Sequence, residues 1–200
     1  VVYFSTELEH WEIQDQIVEA RAGGTAIFPN GREPKQHERE RLSEAGDWMQ
    51  YQLKEWKFTC LHNRKLSVQK IAEYTLGVAR KFEKQVVIVD QASRIARDDA
   101  SGRRSYTVAT EDMLNDFEAM TADLGLPVVL LTQANRAAEG QRPTMANFKH
   151  SGAFEEYAHC AILLHRDGGS DELVVPKNRH GRTGYLRAVF HGESHTWDVR

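Results

Sequence analysis

Apolar residues along this chain gather into short runs that break off at a polar side chain. VVYFSTE reaches Glu7, VVIVDQ reaches Asp90 and VVLLTQ reaches Gln133. Between them the apolar spacing is helical. Over 9–22, Trp11, Ile13, Ile17, Val18 and Ala20 recur at about one turn, and Gly23-Gly24 supplies a stop. The charge-dense stretch 30–52 predicts a loop and then a solvated helix, with Trp48, Met49 and Tyr51 as a partial apolar face. A short strand is expected over 57–62. Ser67 is placed to cap a helix running to 82, built on Val68, Ile71, Ala72, Leu76 and Ala79. Residues 86–89 are apolar throughout, which predicts a strand covered on both faces.

A helix over 108–124, ended by Gly125 and Pro127, leads to a second continuous apolar strand at 128–131. A loop over 135–151, a short helix through 158 and a strand over 161–164 follow. The runs 172–175, 185–190 and 196–199 read as antiparallel strands separated by glycine-containing turns. The pattern predicts an α/β fold: a mostly parallel sheet flanked by helices, with an antiparallel C-terminal extension. There is no internal repeat and no low-complexity linker.

Composition narrows the setting. Two hundred residues suit one domain with a substantial core. Cys60 and Cys160 lie far apart with no metal-binding spacing, which predicts two buried, reduced core thiols. A net charge of −3 leaves any nucleic-acid binding to local patches. No apolar stretch approaches the roughly 20 residues that span a bilayer, and no signal core is present, so a cytoplasmic protein without a membrane partner is expected. The first residue lies inside a strand with no initiating Met, as in a piece of a longer chain.

The strand-end residues carry the candidate chemistry, because ligands of parallel α/β sheets bind beyond the carboxyl ends of the strands. Asp90 is suited to hold Mg²⁺ through water, and the Gln133 amide can both donate and accept. Glu7 can orient or deprotonate an attacking water, but Glu9 competes for that role and can instead start the helix. Spacing alone does not choose between them. Downstream, Lys177, Arg179, Arg182 and Arg187 form a run of cations with no acid between them. Gly181 and Gly184 would turn the chain tightly, so that Lys177 and Arg179 point the same way and reach a neighbouring subunit's γ-phosphate. Activating acid, metal-holding acid, polar sensor and paired cations are the parts of phosphoryl transfer. A G-x-x-x-x-G-K-[ST] phosphate loop does not occur in the sequence.

Two loops suit a nucleic-acid backbone. One carries Arg136, Arg142 and Lys149 against the single acid Glu139, and its small residues Ser151 and Gly152 allow amides close to phosphates. The other carries Arg94, Arg97, Arg103 and Arg104 against Asp98 and Asp99. His191 and His195, four apart in strand-turn context, are read as ordinary surface histidines.

FSTELE, VVIVDQ, VVLLTQANR, KHSGAFEEYAH and VVPKNRHGRTG occur in the order and approximate spacing found in the RecA-fold motor domain of DnaB-type hexameric replicative helicases, which the chain resembles from 1 to 200. The resemblance implies a single RecA-like P-loop NTPase domain lacking its Walker A strand, loop and helix. It assigns Glu7 as catalytic glutamate, Asp90 as Walker B aspartate, Gln133 as nucleotide sensor, and Lys177 and Arg179 as lysine and arginine finger. Lys149, His150, Ser151 and Gly152 fall on the loop that grips DNA. Where the family commonly has D-A-D before the next strand, this chain has Tyr157, Ala158, His159 and Cys160. ATP and Mg²⁺ are the implied ligands. Single-stranded DNA, identical subunits in a hexameric ring, and a primase or helicase loader are the implied partners. These 200 residues alone are expected to be inactive. The alternatives are a RadA/RecA-like recombination ATPase and a non-catalytic oligomerising DNA-binding module.

Overall fold

The computed structural model describes residues 1–24, 33–55, 57–79, 84–95, 105–133, 142–147, 151–166, 171–192 and 194–199. The first strand, β1 (Val2–Ser5), leads into α1 (His10–Arg21), and α2 (Gln36–Lys54) precedes β2 (Thr59–His62). Next come α3 (Val68–Ala79), β3 (Val87–Asp90), α4 (Tyr106–Leu124) and β4 (Val128–Leu131). A short 3-10 helix, Met145–Asn147, precedes α5 (Ser151–Tyr157). The chain ends in β5 (Cys160–His165), β6 (Asp171–Asn178), β7 (Gly184–His191) and β8 (Thr196–Val199).

Among the described residues the strands form two sheets of four. The first is wholly parallel in the order β2-β1-β3-β4, and the second is antiparallel in the order β5-β6-β7-β8. Parallel neighbours need long crossovers, which the helices supply, whereas tight turns suffice for the tail. Gly125 ends α4 at φ 63, a left-handed conformation that costs glycine little. In the β6–β7 turn, a Cβ on Gly181 would lie 2.7 Å from the Asn178 amide nitrogen, so only glycine fits without displacement.

The core lies on one face of the parallel sheet. Paired registers place Val2, Val87 and Val128 in one row and Phe4, Val89 and Leu130 in the next. Against these rows pack Ile71 and Val78 of α3, Met113, Leu114, Phe117 and Met120 of α4, and Phe154 of α5. Burying a side chain such as Phe4 or Phe117 contributes about 1.5–3 kcal/mol. The opposite face differs from the reading of fully covered strands. Ile88 is half-buried, and Val129 and Leu131 on the edge strand β4 are exposed. The cysteines also depart from expectation: Cys60 is half-buried and Cys160 is exposed, because β5 turns alternate residues outward. Among the described residues no helix is long and apolar enough to cross a membrane.

Candidate functional site

Parallel pairing brings the carboxyl ends of β1, β3 and β4 to one edge. Ser5 pairs with Asp90, and Asp90 with Leu131, so Gln133 leaves the sheet two residues beyond the same line. The turn after β1 is locked to the end of β3. The Thr6 N–H donates to the Asp90 carbonyl at 2.6 Å, and the Gln91 N–H donates to Thr6 Oγ1 at 3.0 Å. Ser5 Oγ accepts from the amides of Glu7 at 3.3 Å and Leu8 at 2.9 Å, folding the chain so that Glu7 emerges beside this edge. The Asp90–Gln91 peptide is cis.

The Asp90 carboxylate sits half-buried on the less covered face of the sheet, where Tyr3 donates its hydroxyl to Oδ2 at 2.9 Å. Burial first, and then the Asp90 carboxylate, push the Tyr3 phenol well above its usual range, so Tyr3 keeps its proton and remains a donor. Asp90 is thereby oriented. No cluster of three or more His, Cys, Asp or Glu able to hold a metal occurs among the described residues. A single aimed carboxylate fits Mg²⁺, which characteristically keeps several waters and binds through one or two carboxylates plus substrate phosphates.

Glu7 and Glu9 differ in their contacts. Glu9 precedes α1 and its N–H donates to the Glu12 carboxylate at 2.7 Å, half of a reciprocal cap. Its own carboxylate lies 3.5 Å from His62 Nε2, with His62 Nδ1 in turn 2.8 Å from the Leu8 carbonyl. Glu7 instead faces the sheet edge, where Arg94 Nη2 approaches its carboxylate at 2.9 Å and Arg94 Nη1 donates to the Thr6 carbonyl at 3.4 Å. Gln133 is exposed at the end of β4.

Lys177 and Arg179 do point the same way. Lys177 Nζ donates to the Glu155 carbonyl and, at 3.2 Å, to that of Glu156. Arg179 Nη2 also donates to the Glu156 carbonyl at 2.7 Å, and its N–H donates to the His159 carbonyl at 2.8 Å. Both cations therefore sit on carbonyls in the last turn of α5, groups that a helix cannot satisfy internally.

Of the DNA candidates, Arg97, Arg103, Arg104, Arg136, Lys149 and His150 lie outside the described residues. Ser151 is the first residue of α5 and Gly152, exposed, is the second. Arg142 is engaged rather than free. Its Nε and Nη2 each donate to Glu172 at 2.7 Å, and its guanidinium lies 4.2 Å from the centre of the Tyr185 ring. His191 pairs with Asp198 at 2.9 Å, and the His195 ring stacks on Phe190.

Tyr3, Thr6 and Glu172 went unrecognised in the sequence, and Arg94 was read only as part of a basic loop. Tyr3 had a usable signal, since it shares a strand face with Ser5, the partner of Asp90. Glu172 had none, because its partner lies thirty residues away.

The model of the "DnaB-like helicase C terminal domain" family matches residues 1–198. The chain is 32% identical over 108 residues to the replicative DNA helicase DnaB of Treponema pallidum, across 53% of this chain and 24% of that protein. It is 24% identical to the replicative DNA helicase DnaB of Leifsonia xyli, across 96% of this chain and 43% of that protein. It thus spans less than half the length of these relatives. A solved ATPase domain superposes with TM-score 0.86 at 20% identity, covering 98% of this chain and 72% of the other. A DnaB-like replicative helicase, solved in a study of its interactions with primase, gives TM-score 0.86 at 21% identity, covering 98% and 50%. These likenesses establish the RecA-like ATPase fold that the resemblance implies. With its whole parallel sheet, strand-end acids and C-terminal hairpins inside the matched region, the chain belongs to the DnaB-like helicase C-terminal domain family.

Proposed function

We propose that residues 1–200 are the motor domain of an ATP-driven replicative DNA helicase that translocates on single-stranded DNA, with each nucleotide site shared between adjacent subunits of a hexameric ring. Family membership supports the helicase class. The observation that carries the mechanism is the joining of the Glu7 turn to the Asp90 strand end, with Gln133 leaving the adjacent strand on the same edge.

Glu7 orients the attacking water and takes its proton as the oxygen bonds to the γ-phosphorus of ATP, while the bond from that phosphorus to the β,γ-bridging oxygen breaks and ADP leaves. Asp90, aimed by Tyr3, would hold Mg²⁺, and the ion would supply neutralising charge to the phosphate oxygens. Gln133 contacts the phosphate end and reports its state to the segment that follows. Lys177 and Arg179 bring positive charge to the neighbouring subunit's phosphates. Arg97, Arg103, Arg104, Arg136, Lys149 and His150, with the backbone around Ser151 and Gly152, track the DNA phosphates. A replication motor of this kind works in the cytoplasm with a primase or loader, and a structural neighbour was studied with primase. The 200 residues contain no phosphate loop, so turnover is expected of a chain that supplies one.

Subunit mixing in such a parent chain tests the shared site. Glu7→Gln and Arg179→Ala rings should each be inactive, yet mixed rings should regain ATP hydrolysis, because some interfaces then hold an intact Glu7 opposite an intact Arg179. Mixed rings no more active than the separate ones would overturn sharing between subunits.

A further inference from the structure

Arg142 belongs to the basic loop that charge alone assigns to DNA phosphates, but two of its guanidinium nitrogens, Nε and Nη2, are engaged within the protein. Two parallel 2.7 Å hydrogen bonds tie it to Glu172, which is only 5% exposed, and the Tyr185 ring flanks the pair. Glu172 lies near the start of β6 and Tyr185 near the start of β7, which pairs with it. The strand that carries Glu172 is also the one that delivers Lys177 and, one residue past its end, Arg179.

The same segment is held at a second point. The 3-10 helix Met145–Asn147 packs against α5, and α5 receives Lys177 and Arg179 on its terminal carbonyls. Loop, helix and finger strand therefore close a mechanical circuit in which Arg142–Glu172 is the direct link. A buried carboxylate with a bidentate arginine partner is a poor place for a mobile phosphate contact, because withdrawal of the arginine strips two charge-assisted hydrogen bonds from a buried charge.

We propose that Arg142 is a positioning residue that fastens the DNA-binding loop to the finger strand through Glu172, so that DNA on the loop and nucleotide at the fingers sense one another. This rests on the helicase reading above. It predicts that breaking the pair uncouples the two sites without removing either.

The test compares wild type, Arg142→Ala, Glu172→Gln and the double variant in the full-length parent, measuring basal ATP hydrolysis, its stimulation by single-stranded DNA, and DNA affinity. Coupling between sites is typically 5–150-fold, so Arg142→Ala and Glu172→Gln should each lower DNA stimulation by at least ~5-fold, and the double variant no further. Glu172→Gln should retain basal hydrolysis and DNA affinity, which a general loss of folding would not spare. If Glu172→Gln does not fold, Arg142→Lys replaces it: the charge stays, the two-pronged contact goes, and stimulation should fall equally. A phosphate-contact role predicts the opposite pattern, with Arg142→Ala weakening DNA binding and Glu172→Gln leaving stimulation intact, and that result overturns the proposal. A wild-type parent with no DNA stimulation removes the helicase reading itself, whereas normal stimulation with unaffected variants removes the fastening role alone.

Discussion

Arg179 caps Glu156: the guanidinium Nη2 donates to the Glu156 carbonyl at 2.7 Å, on the last turn of α5. Lys177 joins it on the same carbonyl at 3.2 Å. A cation at a helix C-terminus is favourable by about 0.3–1 kcal/mol, so Arg179→Ala and Lys177→Ala should each loosen α5 by that order. Amide exchange in α5 reads this directly. Unchanged protection in both variants would mean that water satisfies these carbonyls equally well.

Glu7 and Arg94 give a second contrast. A general base typically contributes 10²–10⁴-fold, so Glu7→Gln in the parent should lower kcat by about that range while nucleotide affinity holds. Among the described residues Arg94 lies 2.9 Å from the Glu7 carboxylate and 3.4 Å from the Thr6 carbonyl. Arg94→Ala should reduce kcat less than Glu7→Gln. Steady-state rates at saturating ATP decide the order, and an equal or deeper loss in Arg94→Ala would show that Arg94 meets the phosphates itself.

The parallel sheet makes stability sensitive to alkali. Burial raises the Cys60 thiol to about 11, and burial with the Asp90 carboxylate raises the Tyr3 phenol. Both groups are neutral when protonated, and the folded state holds the proton more tightly than the unfolded chain, whose values are about 8.5 for Cys and about 10 for Tyr. Their contribution is complete below those values and declines as pH rises through them toward the folded ones. Unfolding free energy should therefore fall first above about pH 9, through Cys60, and more steeply above about pH 10, through Tyr3. Tyr3→Phe should flatten the second limb and leave the first. Denaturant titrations from pH 7 to 11 would refute this if the variant and wild type kept the same slope above pH 10.

Strands were legible because four consecutive apolar residues fit little else between helical segments, and β3 and β4 lie within a residue of their expected limits. Which face each strand buries was not legible. VVIV and VVLL are alike in sequence, yet β3 is interior to the sheet and β4 lies at its edge, with Val129 44% and Leu131 40% exposed. Neighbour order is a long-range property that local pattern does not encode. The site divides in the same way. Strand-end acids announce themselves by ending an apolar run, whereas the groups that aim them are fixed only by tertiary contact: Tyr3 on Asp90, Arg94 on Glu7 and Glu172 on Arg142. Charge counting registers the sign of Arg142 and not its partner Glu172.

The remaining cations of the loops proposed to meet DNA yield a prediction about salt. Each phosphate neutralised on a single strand releases condensed counterions, giving a slope of about −0.7 in log affinity against log salt per contact. If Arg136 and Lys149 each meet a phosphate, alanine at either position should flatten the slope of the full-length parent by about 0.7 and weaken binding similarly on all sequences. Glu172→Gln should leave that slope unchanged, since Glu172 faces Arg142 and carries the wrong sign for a phosphate. Fluorescence anisotropy with labelled oligonucleotides across a salt series measures all three. A parent whose affinity ignores salt would remove the electrostatic account of DNA binding, and a slope altered by Glu172→Gln would place Arg142 on the DNA after all.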